Sequence, residues 1–200
     1  MWVLRSSAAS PFGRKVNIGA ALCGLSDRIT IEPSNPNDSA DSIPKHNPLG
    51  KVPALILDDG SVLYDSRVIL EWLDHAAGGG LIIPTGEDRF NALTLQATAD
   101  GIMDANVLIV TENRFRPAEM RYQPWLDRQE EKVQRALGVL EGNPPILSPK
   151  PHVGHIALAC ALGHRDFRFD GSWRKEHPRL VEWLRQFEAA VPSYAPTRPL

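Results

Sequence analysis

Hydrophobic and polar positions change rhythm about two fifths of the way along this chain. Up to about residue 78, short apolar runs alternate with turn-forming residues. Trp2 to Ser7 is a short run bounded by Ser and Pro, consistent with a buried strand. Pro11 to Leu22 follows as a helix, with Pro11 in the first turn, where its missing N–H costs nothing, and Gly24 at the end. Arg28 to Glu32 is rich in isoleucine and threonine and predicts a second strand, before a polar loop from Pro33 to Ser42. Pro53 opens a third strand, because proline cannot donate to a sheet ladder and belongs at a strand's first residue. Asp59-Gly60 then marks a hairpin turn into a fourth strand. Asp65-Ser66 stands before Val68, Ile69 and Trp72 and predicts a helix running to near His75.

Gly78-Gly79-Gly80 breaks all regularity, and beyond it the strand signals stop. From about Asp88, Phe90, Leu93, Ala97, Ile102, Met103, Val107 and Val110 recur at helical spacing and predict a long helix ending before Pro117. Pro124 opens another, with Leu126, Val133, Leu137 and Leu140 on one face and Gly142-Asn143 at its close. Val153 to Leu162 is almost wholly apolar and reads as the central buried helix, and a last helix spans Pro178 to Ala190. Strand–helix alternation followed by helices alone implies two architectures: an α/β unit over 1–78, a linker over 79–86 and an all-α unit over 87–200.

Composition narrows the function classes. With 42% apolar and 23% charged residues, the 200-residue chain is long enough for one sizeable core or two modest ones. A formal charge of -2 and no basic run interleaved with aromatics argue against a nucleic-acid surface. There is no apolar run of membrane-spanning length and no signal-peptide pattern, so the expected location is cytoplasmic. Cys23 and Cys160 lie far apart in apolar stretches, and a structural disulfide is not expected.

The chemistry concentrates between Asn47 and Trp72. An X-Pro bond is where a cis peptide is cheap, and a cis Val52-Pro53 bond would turn the Val52 backbone outward, free to pair with an extended peptide. A helix beginning at Asp65-Ser66 would offer unpaired N–H groups to a carboxylate. Together these features describe a site for a small peptide.

This stretch resembles the glutathione-binding half of the glutathione S-transferases, and Ser10 to Val16 (Ser-Pro-Phe-Gly-Arg-Lys-Val) resembles the family's first strand-to-helix turn. The resemblance covers nearly the whole chain and implies a thioredoxin-like N-terminal domain with an all-helical second domain. It implies glutathione as co-substrate, with Val52 and Pro53 pairing with its cysteinyl part and Asp65 and Ser66 holding its γ-glutamyl end. Lys51 is a candidate for the glycine carboxylate. It also implies a homodimer, and a small hydrophobic electrophile as the second substrate.

An unperturbed thiol has a pKa of about 8.5, so little thiolate exists at neutral pH. Lowering that by roughly two units takes about 3 kcal/mol, within reach of one hydrogen bond to the sulfur anion plus a helix N-terminus. Ser10, immediately before Pro11, is placed to be that donor at the N-cap. Tau-type relatives carry the activating serine before Pro-Phe and omega-type relatives carry cysteine there, which points to Ser10. Zeta-type relatives carry a Ser-Ser pair in this turn, which keeps Ser7 as the alternative.

In the helical half, Met103, Asn106, Val107 and Arg114 are the candidates for the electrophile pocket, with core packing or solvent exposure as the plain alternative. Asp100 or Asp104 can meet the glutathione amino group across a dimer interface, or simply cap or decorate a helix. His152 and His155 stand where many relatives carry a Ser/Thr-x-x-Asp cap, and two histidines are expected to reproduce it poorly. No further ligands cluster there, so no metal site is expected. The rival from another class is a non-catalytic glutathione-binding or stress-adaptor protein. A thioredoxin-like redox protein is disfavoured by the absence of Cys-x-x-Cys.

Overall fold

The computed structural model describes residues 1–199. Its first half is a four-stranded sheet of order β2-β1-β3-β4. Strand β1 (Trp2–Ser6) leads through helix α1 (Pro11–Leu22) to the parallel strand β2 (Ile29–Pro33). A single helical turn, α2 (Ile43–His46), precedes β3 (Ala54–Ile56) and β4 (Val62–Leu63), both antiparallel to their neighbours. Leu4 on the central strand faces Ile31 on one side and Leu55 on the other, and Leu4 and Leu55 are wholly buried. Gly60 supplies the positive φ (84°) that the turn between β3 and β4 demands. Pro53 lies one residue before the ladder, consistent with its missing donor.

Helix α3 (Ser66–Ala76) returns the chain to α1, and a glycine-rich connection follows. That connection is tied down: the buried Asp74 carboxylate accepts from the N–H groups of Gly80, Leu81, Ile82 and Ile83 at 2.7–3.2 Å. A carboxylate so supplied with donors fixes a stretch whose glycines would otherwise favour the unfolded chain.

Helices make up the second half: α4 (Asp88–Phe115), α5 (Gln123–Gly142), α6 (Val153–Arg168) and α7 (Pro178–Ala190). Every residue of α6 from Val153 to Arg165 is buried, packed by α4 on one side and α1 on another. Gly154 permits the close approach of α4, since a side chain there would stand 2.6 Å from the Ala92 carbonyl oxygen. Helix α6 runs on to Arg168, past the expected end at Leu162, because buried Arg165 finds a carboxylate in Glu130 (2.7 and 2.9 Å) and the Asn106 side chain at 3.2 Å. Cys23 and Cys160 are both free thiols, and burial pushes them up to about 12 and about 11, well away from reactive thiolate.

The histidine cap departs from expectation. His152 Nδ1 accepts from the Gly154 N–H at 3.1 Å while His155 Nδ1 accepts from the His152 N–H at 3.2 Å, so the two rings complete a reciprocal box. They stack with centroids 3.6 Å apart. An unprotonated imidazole nitrogen is as able an acceptor as the hydroxyl and carboxylate it replaces, and stacking orients both rings.

Candidate functional site

Between the loops at one end of the sheet and the C-terminal parts of α4 and α6 lies a cleft of about 770 Å³. Its sheet-side wall is built from backbone and capping groups. The Val52-Pro53 bond is cis, as is Tyr64-Asp65. Neither the N–H nor the carbonyl of Val52 has a partner among the described residues, and Val52 borders the cleft. Asn47 braces the preceding residue by donating from Nδ2 to the Lys51 carbonyl at 2.8 Å. Asp65 is the N-cap of α3, accepting from the Arg67 N–H at 2.9 Å, and the buried Ser66 hydroxyl borders the cleft with no hydrogen-bond partner among the described residues. Lys51, Val52, Pro53, Asp65 and Ser66 thus share one surface.

Ser7 and Ser10 line the same cleft, and both are half-buried. Ser10 adopts extended backbone as the N-cap of α1, and its Oγ accepts from the Gly13 N–H at 3.1 Å. Accepting there leaves the hydroxyl proton free to be donated outward, beside the positive end of the helix dipole. Ser7 lies three residues upstream, and its carbonyl accepts from the Ser10 N–H at 2.9 Å. Nearby, Arg5 reaches under the polar loop to Asp41 at 3.1 Å, and Asp41 accepts from the N–H groups of Asn35 and Ile43. This fixes the loop where Asn35 and Asn37 close one side.

The opposite wall comes from α4 and α6. Val107 and Arg114 face the cleft, joined by Asp104, Val110, Thr111 and Phe115. Met103 and Asn106, expected in the same pocket, are not there. Both are fully buried, Met103 in the apolar core and Asn106 against Arg165. One residue of helix is about 100° of rotation, so Asn106 is turned toward α6 while Val107 is turned outward, and α6 and α1 cover the level of Met103.

His164 and Arg168 on α6 line the cleft as well. Ending the helix at Leu162 hides them, whereas continuing the 3.6-residue period places Cys160, His164 and Arg168 on one face. His164 is buried with its Nδ1 unpartnered, and burial followed by the neighbouring Arg168 and Arg165 pulls it down to about 4, so the ring is neutral. Asp104 is pushed upward by burial and by Asp100, one helical turn away. Asp100 itself is neither a cap nor a surface group. It is 1% exposed and joins the two halves, with Lys15 Nζ of α1 at 2.6 Å and Arg67 Nε at 3.0 Å.

Comparison with known proteins agrees with this architecture. The family model for the glutathione S-transferase N-terminal domain matches residues 9–76, and that for the C-terminal domain matches residues 123–186. The uncharacterized GST-like protein YibF of Escherichia coli K12 is 34% identical over 98% of both chains. A glutathione transferase family member from Pseudomonas fluorescens Pf-5, solved with bound glutathione, superimposes with a TM-score of 0.91 at 41% identity over the whole of both chains. The structure of that family from the same organism with bound S-(propanoic acid)-glutathione gives 0.87, again at 41% and full coverage. Sheet order, helical second half and matches along nearly the full length agree: this chain belongs to the glutathione S-transferase family.

Proposed function

We propose that this protein is a glutathione transferase: it binds glutathione along the Val52 edge and activates the thiol for attack on a small apolar electrophile. Residues 1–78 supply the glutathione half of the site and residues 87–200 the electrophile half, joined through 79–86. The single observation that carries the reading is the convergence, in one cleft, of an unpaired Val52 backbone, the Asp65-Ser66 helix start and a serine hydroxyl with a free proton. A peptide strand completes the open ladder at Val52, as in β-strand addition. Its γ-glutamyl carboxylate meets the first turn of α3 and the Ser66 hydroxyl, and its amino group meets Asp65 or Asp104. Lys51 is in reach of the glycine carboxylate. Glutathione bound to relatives of this fold supports the same ligand here.

Ser10 is the residue to which the thiolate hydrogen-bonds. Its Oγ already holds the Gly13 N–H, so its proton points to the sulfur, and the α1 dipole adds to the stabilisation. Ser7 lacks that helix-end position. The electrophile enters against Val107, Val110 and Phe115. The exposed Val68 of α3 and Phe90 of α4 are suited to contact between copies, in a cytoplasmic homodimer serving detoxification or catabolism.

Replacing Ser10 by alanine separates an enzyme from a binder. We expect kcat/KM with a chlorinated dinitroaromatic to fall roughly a hundredfold, with loss of thiolate absorbance and retained glutathione binding. Ser7→Ala is expected to change the rate less than about threefold. A Ser10→Ala protein with wild-type rate and thiolate band would remove Ser10 from this role.

A further inference from the structure

Charge is unevenly distributed in the cleft. Asp65, Asp104 and Lys51 face it at the end where α3 begins, whereas Arg114, Arg168 and His164 face it from α4 and α6. Among the described residues, neither Arg114 nor Arg168 makes an ion pair. Each guanidinium lies over an aromatic neighbour instead, that of Arg114 5.3 Å from the Phe115 ring centre and that of Arg168 4.1 Å from that of Phe167. The helices run in the same direction, since Gly154 abuts Ala92 and Leu95 while Arg165 bonds Asn106 eleven residues on. Arg168 therefore stands level with about Ile109, and Arg114 lies about five residues farther along the axis, roughly 8 Å of axial rise. Arg114 stands ten residues, about 15 Å of helix, beyond Asp104, and the level of Arg168 about five residues, roughly 8 Å, beyond it, so both arginines lie toward the other end of the cleft from Asp104.

Two unpaired guanidiniums at the apolar end of a site are a poor match to a neutral hydrocarbon electrophile. Their planar forks match a carboxylate. The buried His164 ring, which also borders the cleft, is neutral and so brings no competing charge. We propose that the second substrate carries a carboxylate, held by Arg168 and Arg114 while its apolar body lies on Val107, Val110 and Phe115. This rests on the glutathione transferase reading above and specifies the substrate class of that site. In the displacement version of the reaction, the glutathione sulfur bonds to the electrophilic carbon and the leaving group departs with the electron pair of the broken bond. The thiol proton has already passed to solvent.

The test uses 4-chloro-3,5-dinitrobenzoate and its primary amide, which differ in charge and little in shape, with chloride as the leaving group. Wild type is expected to favour the carboxylate over the amide relative to the uncatalysed reactions. Arg168→Gln and Arg114→Gln should each lower that carboxylate-to-amide ratio roughly tenfold, with Arg168→Lys recovering part of it and added salt eroding it. Calorimetry with the two preformed glutathione conjugates reads the same preference as relative affinity and needs no turnover. Equal handling of the two probes by wild type, or a ratio unmoved in both glutamine variants, would overturn the inference. A missing thiolate band in the enzyme–glutathione complex would instead count against Ser10 activation, whichever probe the cleft prefers.

Discussion

The two walls of the cleft are made of different material. On the sheet side, the groups that line it are main-chain atoms and helix caps: the Val52 edge, the Asp65-Ser66 start of α3 and the Ser10 start of α1. On the helical side they are side chains projecting from the C-terminal parts of two long helices, Val107 and Arg114 from α4 and His164 and Arg168 from α6. A wall of backbone recognises a peptide whatever its side chains, and its chemistry changes little with sequence. A wall of side chains is redrawn by each substitution, so one fold can hold one constant and one variable substrate.

The largest expected effect bears on how the walls are held together. Asp100 joins α4 to Lys15 on α1 and Arg67 on α3, and Lys15 is itself wholly buried. Asp100→Ala strands that ammonium, and we expect about 3–5 kcal/mol of stability to be lost in chemical denaturation. Restoring neutrality with Lys15→Met in the same chain should recover most of it. If the single variant unfolds at the wild-type midpoint, the joint is ornamental and the walls are independent.

Next in size is a contrast along α4. Met103→Ala empties a core site and should cost roughly 2–4 kcal/mol with little change in electrophile preference, whereas Val107→Ala, on an exposed position, should cost under about 0.5 kcal/mol and shift that preference. Thermal melts beside a panel of aryl electrophiles distinguish the two. The reverse pattern would exchange the roles assigned to them.

The last effect concerns acid and is absent at neutral pH. His155 must be unprotonated at Nδ1 to accept from His152, and burial, then the neighbouring His152, pulls its pKa down to about 4. His152 and His164 shift the same way. A histidine with a folded pKa below its unfolded value of about 6.5 contributes fully above that value, and its contribution is lost as pH falls from about 6.5 toward about 4. For His155 alone the loss should be about 3 kcal/mol by the low end of that window. Replacing the pair as His152→Ser with His155→Asp restores a hydroxyl–carboxylate box and should shrink the acid loss, leaving the part due to His164. Melting temperatures measured across that window in both proteins decide it; identical curves would mean the histidine box is not what acid opens.

Most elements of the fold were legible in order, because each is announced locally. Ser10-Pro11 and Gly24 bracket α1, Asp59-Gly60 turns the hairpin, and Asp65-Ser66 starts α3. The misses have separate causes. Met103 and Asn106 carry the same helical signal as Val107, and which is covered depends on where α6 and α1 lie. His164 and Arg168 lie beyond the last aliphatic residue of an apolar run, and the helix continues past it because buried Arg165 finds a partner in Glu130. The paired histidines were underrated because a residue-type rule overlooked the acceptor nitrogen that stacking orients.

Sequence by itself determined the sheet-side wall, since caps, turns and a proline-led edge are set by residues within four or five positions of one another. Tertiary structure alone decided the helical wall and the Lys15–Asp100–Arg67 joint. Which side of a long helix meets a cleft, and which carboxylate meets a lysine 85 residues away, depends on how distant segments pack, and no local pattern carries that information.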